Sequence, residues 1–181
     1  MTAAVTSPGH ADPVRVVVVA DTHLRRDWPN RRLPGPAIAL LGTADVILHA
    51  GDVTQPEHLA ALAEHAPVHA VLGNNDPELA DRLPETLEVV LAGVRIGMIH
   101  DSGQARGRER RLHARFPDAD VVVFGHSHIP VHATGVDGQL LFNPGSPTER
   151  RRQPHPTMGV LLLADGAVQD ARIEVVDETA G

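Results

Sequence analysis

Two histidines follow an apolar run in the stretch VVVFGHSHIP at residues 121–130. The run ends at a glycine, and one serine separates His126 from His128. One interpretation is that both are turn residues hydrogen-bonded to the backbone. The other is that they bind metal, with nitrogen and oxygen ligands only, because the chain contains no cysteine. The ends of the other predicted strands bear on this choice.

Potential metal ligands also follow the other predicted strands. The segments ADTH, HAGD, LGNND and MIHD contain Asp21, His23, Asp52, Asn74 and His100. The carboxyl ends of strands in α/β sheets converge, so residues far apart in sequence meet there. With the two histidines of GHSH there are seven ligands, too many for one small transition metal but suitable for two ions that share a carboxylate. Five such motifs, each at a strand end, favour metal binding over turn chemistry.

Short β-branched runs bounded by turn residues predict the strands that position these motifs. The runs cover residues 15–20, 45–50, 68–73, 87–100 and 120–125. Helical patterns begin at Gly35, Pro56 and Gly107, and DG dipeptides at 137–138 and 165–166 predict hairpins. Early strand–helix alternation indicates parallel strands, whereas the late hairpins indicate antiparallel additions. We therefore expect a layered α/β fold with mixed sheets.

Length and composition limit the class of protein. A chain of 181 residues with 42% hydrophobic content suits a single domain with a substantial core. We expect that domain at 14–176, between a disordered tail at 1–13 and a C-terminal tail at 177–181. A net charge of −7 and 2% aromatic residues disfavour general nucleic-acid binding. The absence of a signal-peptide pattern and of long apolar runs predicts a cytoplasmic protein without membrane association.

The order of the five motifs resembles that of the calcineurin-like metallophosphoesterases. The family pattern Asp-x-His, Gly-Asp, Gly-Asn-His-Asp/Glu, a single His and Gly-His-x-His is matched by DTH, GD, GNND, His100 and GHSH. The later FNPGSP is similar to the small stand-alone prokaryotic phosphodiesterase branch. The resemblance extends over residues 14–176 and implies a layered α-β-β-α sandwich of two mixed β-sheets flanked by helices, with two metals between the sheet edges.

The resemblance also implies how the ligands are shared. One ion would take Asp21, His23, Asp52 and His128, and the other Asp52, Asn74, His100 and His126, so that Asp52 bridges them. The expected cofactors are two divalent ions, with manganese the first choice and iron, zinc or nickel as alternatives. Such ions would share a water, lower its pKa and clamp the phosphate oxygens while the resulting hydroxide attacks phosphorus in line.

The predicted function is hydrolysis of a small phosphodiester substrate by this binuclear mechanism. A phosphomonoesterase of the same fold is one alternative. A non-catalytic metal-binding scaffold is another, and it would predict broken ligand sets, whereas all seven ligands are present here. The sequence also leaves a homo-oligomer open.

Asn75 and Asp76 are the candidate catalytic residues beside the ligand asparagine. Many family members have histidine where this chain has Asn75, so the leaving group lacks that proton donor and substrates with acidic leaving groups are expected. Asp76 either steadies the ligands from behind or caps the helix predicted at PELADRL.

Several other residues are weaker candidates for a place in or near the substrate cleft. The resemblance places the NPGSP turn near the cleft, so Asn143, Ser146 or an arginine from 150–152 is expected to contact substrate. Trp28, in a loop next to the first motif, is either a lid over the cleft or a surface anchor. Of the remaining histidines, His49 in HAGD lies nearest to a ligand, although none of them completes a matching motif.

Overall fold

A computed structural model of the chain describes residues 12–27 and 32–178. Trp28 and almost all of the expected N-terminal tail lie outside these residues. The strands are β1 Val14–Val19, β2 Val46–His49, β3 Val68–Ala70, β4 Thr86–Leu91, β5 Val94–Ile99, β6 Val121–Val123, β7 Val131–Thr134, β8 Leu140–Asn143, β9 Thr157–Ala164 and β10 Ala167–Val175. The α-helices are α1 Gly35–Leu41, α2 Pro56–Ala63 and α3 Arg108–Arg115, and short 3-10 turns span Pro77–Leu79 and Val136–Gly138.

The strands form two five-stranded mixed sheets. The first has the order β10-β9-β1-β2-β3, in which β1, β2 and β3 are parallel and β9 and β10 are antiparallel additions. The second has the order β4-β5-β6-β8-β7, in which β5, β6 and β8 are parallel and the two edge strands are antiparallel. The predicted α/β class with mixed sheets is confirmed.

The side chains of β1 show how the layers are arranged. Val16 and Val18 are buried in the core between the two sheets, together with residues such as Ile96 and Phe142 of the second sheet. Val17 and Val19 point to the opposite face, where α1 and α2 cover them. On the outer face of the second sheet, α3 packs against β6 in a separate cluster. These layers give the expected α-β-β-α sandwich.

Turn residues confirm the predicted hairpins and limit one strand. Asp165 and Gly166 join β9 to β10 with φ values of 53° and 74°, as a type I′ turn requires. β3 ends at Ala70, earlier than the predicted residue 73, because the N–H groups of Leu72 and Gly73 donate to Pro84 and Asp76 and not to β2. Among the described residues, no helix combines the length and apolarity that a membrane crossing needs.

Candidate metal centre

The seven predicted ligands lie together where β1, β2, β3, β5 and β6 end. We call this group the ligand cluster: Asp21, His23, Asp52, Asn74, His100, His126 and His128. Polar atoms of neighbouring members are 2.9 to 3.4 Å apart around the group. The convergence expected from the strand ends is therefore present, although it spans both sheets.

One half of the cluster contains Asp21, His23 and His128. The Nε2 atoms of His23 and His128 are 3.2 Å apart, and Asp21 Oδ1 is 3.4 Å from His128 Nε2. All three side chains are buried. One ligand atom from each lies within 4.8 Å of the others, which is close enough for all three to contact one ion.

The other half contains Asn74, His100 and His126. Asn74 Oδ1 lies 3.0 Å from His100 Nε2 and 2.9 Å from His126 Nδ1. The two halves meet at Asp52, whose Oδ2 is 3.4 Å from His23 Nε2 and also 3.4 Å from His100 Nε2. One oxygen of Asp52 is therefore equally close to a histidine of each half.

Hydrogen bonds on the outer side of two imidazoles determine which nitrogen points into the cluster. The Nδ1–H of His128 donates to the carbonyl of Glu149 at 2.6 Å, and that of His100 donates to the carbonyl of Ala50 at 2.7 Å. A carbonyl can only accept, so in the neutral rings Nε2 has a lone pair directed at the cluster. Such outer bonds are typical of histidines that bind metal.

The chemistry of the donor set fits divalent ions. Asp21 Oδ2 is buried without a hydrogen-bond partner, and an unpaired buried acceptor costs about 1–3 kcal/mol. Ligands at about 2.1 Å from one ion lie about 3.0 to 3.4 Å apart at right or tetrahedral angles. Most of the distances within each half are close to this spacing, and Asp21 Oδ1 lies farther from His23 Nε2, at 3.9 Å, so bound divalent ions would relieve the convergence of acceptors.

Burial and neighbouring charges shift the pKa values of three residues in the ligand cluster. Burial raises the pKa of Asp21 to about 7, and the Asp52 carboxylate adds to this effect. Burial opposes the charging of His100, but the hydrogen bond and the negative charge of Asp52 raise its pKa to about 8. Burial also disfavours ionised Asp52, yet hydrogen bonds from His100 and Asn75 hold its pKa well below the usual range. The cluster therefore combines carboxylates and imidazoles whose ionisation is strongly coupled.

The ligand loops have a strained backbone. Left-handed φ values, between 44° and 78°, occur at Asp21, His23, Asp52, Thr54, His126 and His128. For residues other than glycine such conformations cost on the order of 1–3 kcal/mol each and cluster at functional sites. Gly73 shows how closely the loops approach, because a Cβ there would lie 2.2 Å from the backbone nitrogen of Asp52.

Asp76 and Asn75 both hold Asp52. The Asp76 carboxylate is almost fully buried and accepts the N–H groups of Asp52, Thr54 and Gly73 at 2.9, 2.6 and 2.7 Å. It makes no capping bond to the 3-10 turn that follows, so the structure favours the supporting role over the capping role. Asn75 donates its backbone N–H to Asp52 Oδ1 and its side-chain amide to Oδ2, each at 2.8 Å. A direct part of Asn75 in catalysis stays a prediction.

The predicted contacts of Asn143 and Ser146 with substrate do not match their surroundings. Both side chains are buried and donate to backbone carbonyls, Asn143 to Gly125 at 2.9 Å and Ser146 to Asp21 at 2.8 Å. They join the NPGSP turn to the ligand loops. Glu149, which the sequence did not indicate, has its carboxylate 4.0 Å from His23 Nε2. It lies outside the five motifs, so no local pattern marks it.

His49 lies behind the first ligand loop. It is fully buried, and its Nε2 is 3.2 Å from Thr22 Oγ1. Burial lowers the pKa of His49 to about 3, so the ring is neutral. His49 therefore supports the Asp-x-His loop and is not part of the ligand cluster.

Known proteins resemble this chain in sequence and in fold. The family model for the calcineurin-like phosphoesterase superfamily domain matches residues 14–166. A probable metallophosphoesterase of Methanothermobacter thermautotrophicus is 34% identical over 160 residues, which cover 86% of this chain and 89% of the relative. Another, of Methanocaldococcus jannaschii, is 38% identical over 165 residues, covering 89% and 81%. The structure of Vacuolar Protein Sorting 29 from Cryptosporidium parvum has a TM-score of 0.72 at 22% identity, covering 91% of this chain and 98% of the other.

Proposed function

Since the chain belongs to the calcineurin-like phosphoesterase superfamily, we propose that it is a phosphodiesterase that uses two divalent ions held by the ligand cluster. The observation that carries the proposal is the place of Asp52 Oδ2, 3.4 Å from a histidine of each half. That oxygen can contact both ions at once. When bound, the two ions supply an activated water and an electrostatic clamp for phosphate oxygens.

The protein's own side chains orient these groups and leave one face open. The outer hydrogen bonds of His100 and His128 direct their Nε2 lone pairs inward, and Asp76 holds the backbone of Asp52. Asn74 is exposed and the His126 side chain is 45% exposed, in contrast with the buried first half. Substrate would therefore approach from the side of Asn74 and His126.

Two carboxylates near the cluster favour a diester over a monoester. Asp101 Oδ2 lies 4.0 Å from His126 Nε2, and Glu149 Oε2 lies 4.0 Å from His23 Nε2. A phosphomonoester carries nearly two negative charges at neutral pH, whereas a diester carries one. Repulsion by Asp101 and Glu149 therefore penalises a monoester more.

A non-catalytic scaffold is the second candidate function. The likeness to Vacuolar Protein Sorting 29, at 22% identity, supports the fold but not a role. The scaffold hypothesis predicts that the protein binds metal without turnover. Absence of hydrolysis of any diester by protein with two bound ions, tested with manganese, iron, zinc and nickel, would favour the scaffold.

Removal of metal is expected to abolish hydrolysis and to lower thermal stability. Ions that bind only the folded state stabilise it by mass action, by about 2.7 kcal/mol at a hundredfold excess over Kd. The measurements are hydrolysis of bis(4-nitrophenyl) phosphate and the melting temperature, before and after chelation and after addition of manganese. Active protein with much less than one metal ion per chain by elemental analysis would contradict the proposal.

The variant Asn75→His is expected to change the dependence of rate on the leaving group. A positioned acid is worth roughly 10²–10⁴-fold when the departing alkoxide is a poor leaving group, and an amide cannot donate a proton as an ionising acid. The histidine should therefore accelerate diesters with poor leaving groups relative to diesters with good ones. The measurement is kcat/KM across diesters with graded leaving-group pKa.

Asn75→Ala is the matched control. Alanine removes the side-chain donor to Asp52 Oδ2, whereas histidine replaces the amide with an imidazole that can act as an acid. Misplacement of Asp52 affects all leaving groups alike, so a ratio of kcat/KM between the two variants that changes with leaving-group pKa reports proton transfer. If this ratio is the same for good and poor leaving groups, position 75 takes no part in proton transfer.

A further inference from the structure

The segment at residues 146–151 is attached to the ligand loops. Ser146 Oγ donates to the carbonyl of Asp21 at 2.8 Å, and Thr148 Oγ1 donates to that of Thr22 at 2.7 Å. The carbonyl of Glu149 accepts the Nδ1–H of His128 at 2.6 Å. Because three successive contacts join this segment to two ligand loops, the side chains that follow have a defined position beside the cluster.

The arginines at 150 and 151 diverge from this anchored segment. Arg150 donates to the carbonyl of Gln153 at 2.6 Å and lines a cleft with Arg32, Pro34 and Asp177, away from the ligands. Arg151 has a left-handed φ of 49°, and its guanidinium lies 3.5 Å from the carbonyl of His126. Arg151 is exposed, as is His126 on the open face of the cluster. Of these two, only Arg151 reaches the face from which substrate would approach.

The charge of Arg151 lies beside the ligand loop that contains His126, because its guanidinium faces the His126 carbonyl at 3.5 Å. A guanidinium stays protonated and has no lone pair, so it cannot coordinate a metal cation. The positive charge of Arg151 would repel metal ions bound by the ligand cluster. An anion bound between them would remove this repulsion. The carboxylates of Glu149 and Asp101 supply part of that negative charge, and a bound phosphodiester would add one charge without the second charge that these carboxylates repel.

We propose that Arg151 binds a non-bridging oxygen of the substrate's phosphate group. This inference rests on the proposed function and names a residue that binds its substrate. The contact with the His126 carbonyl involves one of five guanidinium N–H donors, so the planar fork can also bond to phosphate oxygens. The phosphate oxygens carry negative charge in the bound substrate and in the transition state. Arg151 would therefore stabilise both by donating hydrogen bonds to one of these oxygens.

The test compares Arg151→Ala and Arg151→Lys with the control Arg150→Ala in manganese-loaded protein. Inorganic phosphate is the binding probe, measured by calorimetry, and bis(4-nitrophenyl) phosphate is the substrate. Arg151→Ala should weaken phosphate binding roughly tenfold or more, the scale of one charged hydrogen bond. It should also lower kcat/KM about 10²-fold. Arg151→Lys should recover part of both losses. Arg150→Ala should stay within about twofold of the unaltered protein, because it removes the same charge at a position away from the ligand cluster.

The outcomes separate this inference from the proposed function. If the unaltered protein hydrolyses diesters and Arg151→Ala matches it in phosphate affinity and kcat/KM, the inference about Arg151 is wrong and the proposed function stands. If the unaltered protein binds phosphate but hydrolyses no diester, the proposed function fails while phosphate binding still tests Arg151. If Arg151→Ala lowers the metal content or Arg150→Ala weakens phosphate equally, the inference is overturned in favour of a structural or general charge effect.

Discussion

The variant Asp52→Asn is expected to lose about 10²–10³-fold in kcat, the scale on which removal of one electrostatic group acts. Oδ2 of Asp52 is the atom that faces both halves of the cluster, at 3.4 Å from His23 and from His100. An asparagine would remove the negative charge that two adjacent cations need. Its NH₂ group would also point either at a ligand nitrogen or at the donating amide of Asn75. Both ions should therefore bind more weakly.

Two further variants test whether the effect of Asp52→Asn exceeds that of losing a terminal ligand or a nearby carboxylate. His126→Ala removes a terminal ligand whose side chain is 45% exposed, and it should cost less activity than Asp52→Asn. Asp101→Asn removes a carboxylate near His126 that is outside the ligand cluster, and it should retain both ions. Metal content by elemental analysis and kcat are measured for all three. An Asp52→Asn protein that keeps two ions and most of its activity would show that Asp52 does not bridge.

The variant Asp76→Asn is expected to destabilise the metal-free protein by about 3 kcal/mol and to weaken metal binding. The Asp76 carboxylate is 1% exposed and accepts three backbone N–H groups, including that of Asp52. An amide has one acceptor oxygen and adds N–H donors, so at least one buried backbone donor would lose its partner. The melting temperature should fall by roughly 6–12 °C for a domain of this size.

Asp81→Asn is the control for the loss of one carboxylate in the same segment. Asp81 is exposed, so its replacement should change the melting temperature by no more than about 1–2 °C. Thermal unfolding is measured after chelation, and the manganese affinity is measured separately. Equal melting temperatures for Asp76→Asn and the unaltered protein would mean that the three hydrogen bonds contribute no net stability.

Patterns of a few residues were sufficient for most of the fold. Valine-rich runs predicted β1 and β6, and the Asp165–Gly166 dipeptide predicted the β9–β10 hairpin, because strand and turn preferences are local. The boundary of β3 was predicted too far along the chain, since its end depends on bonds from Leu72 to Pro84 and from Gly73 to Asp76. The division into two sheets came from the family resemblance. Local patterns contain no information on which strands pair across the chain.

The ligand cluster was predictable from sequence because metal ligands are a small set of side-chain types and strand ends bring them together. The contacts of the residues around it were not, although support of the ligands was one of two roles that the sequence offered for Asp76. Asp76 bonds to residues 22 to 24 positions earlier, and Ser146 bonds to Asp21 125 positions earlier. Arg150 and Arg151 are chemically identical neighbours, yet the left-handed turn at 151 points them to different clefts. Such contacts depend on how the sheets stack and how loops are anchored, which is a property of the folded chain and not of any short segment.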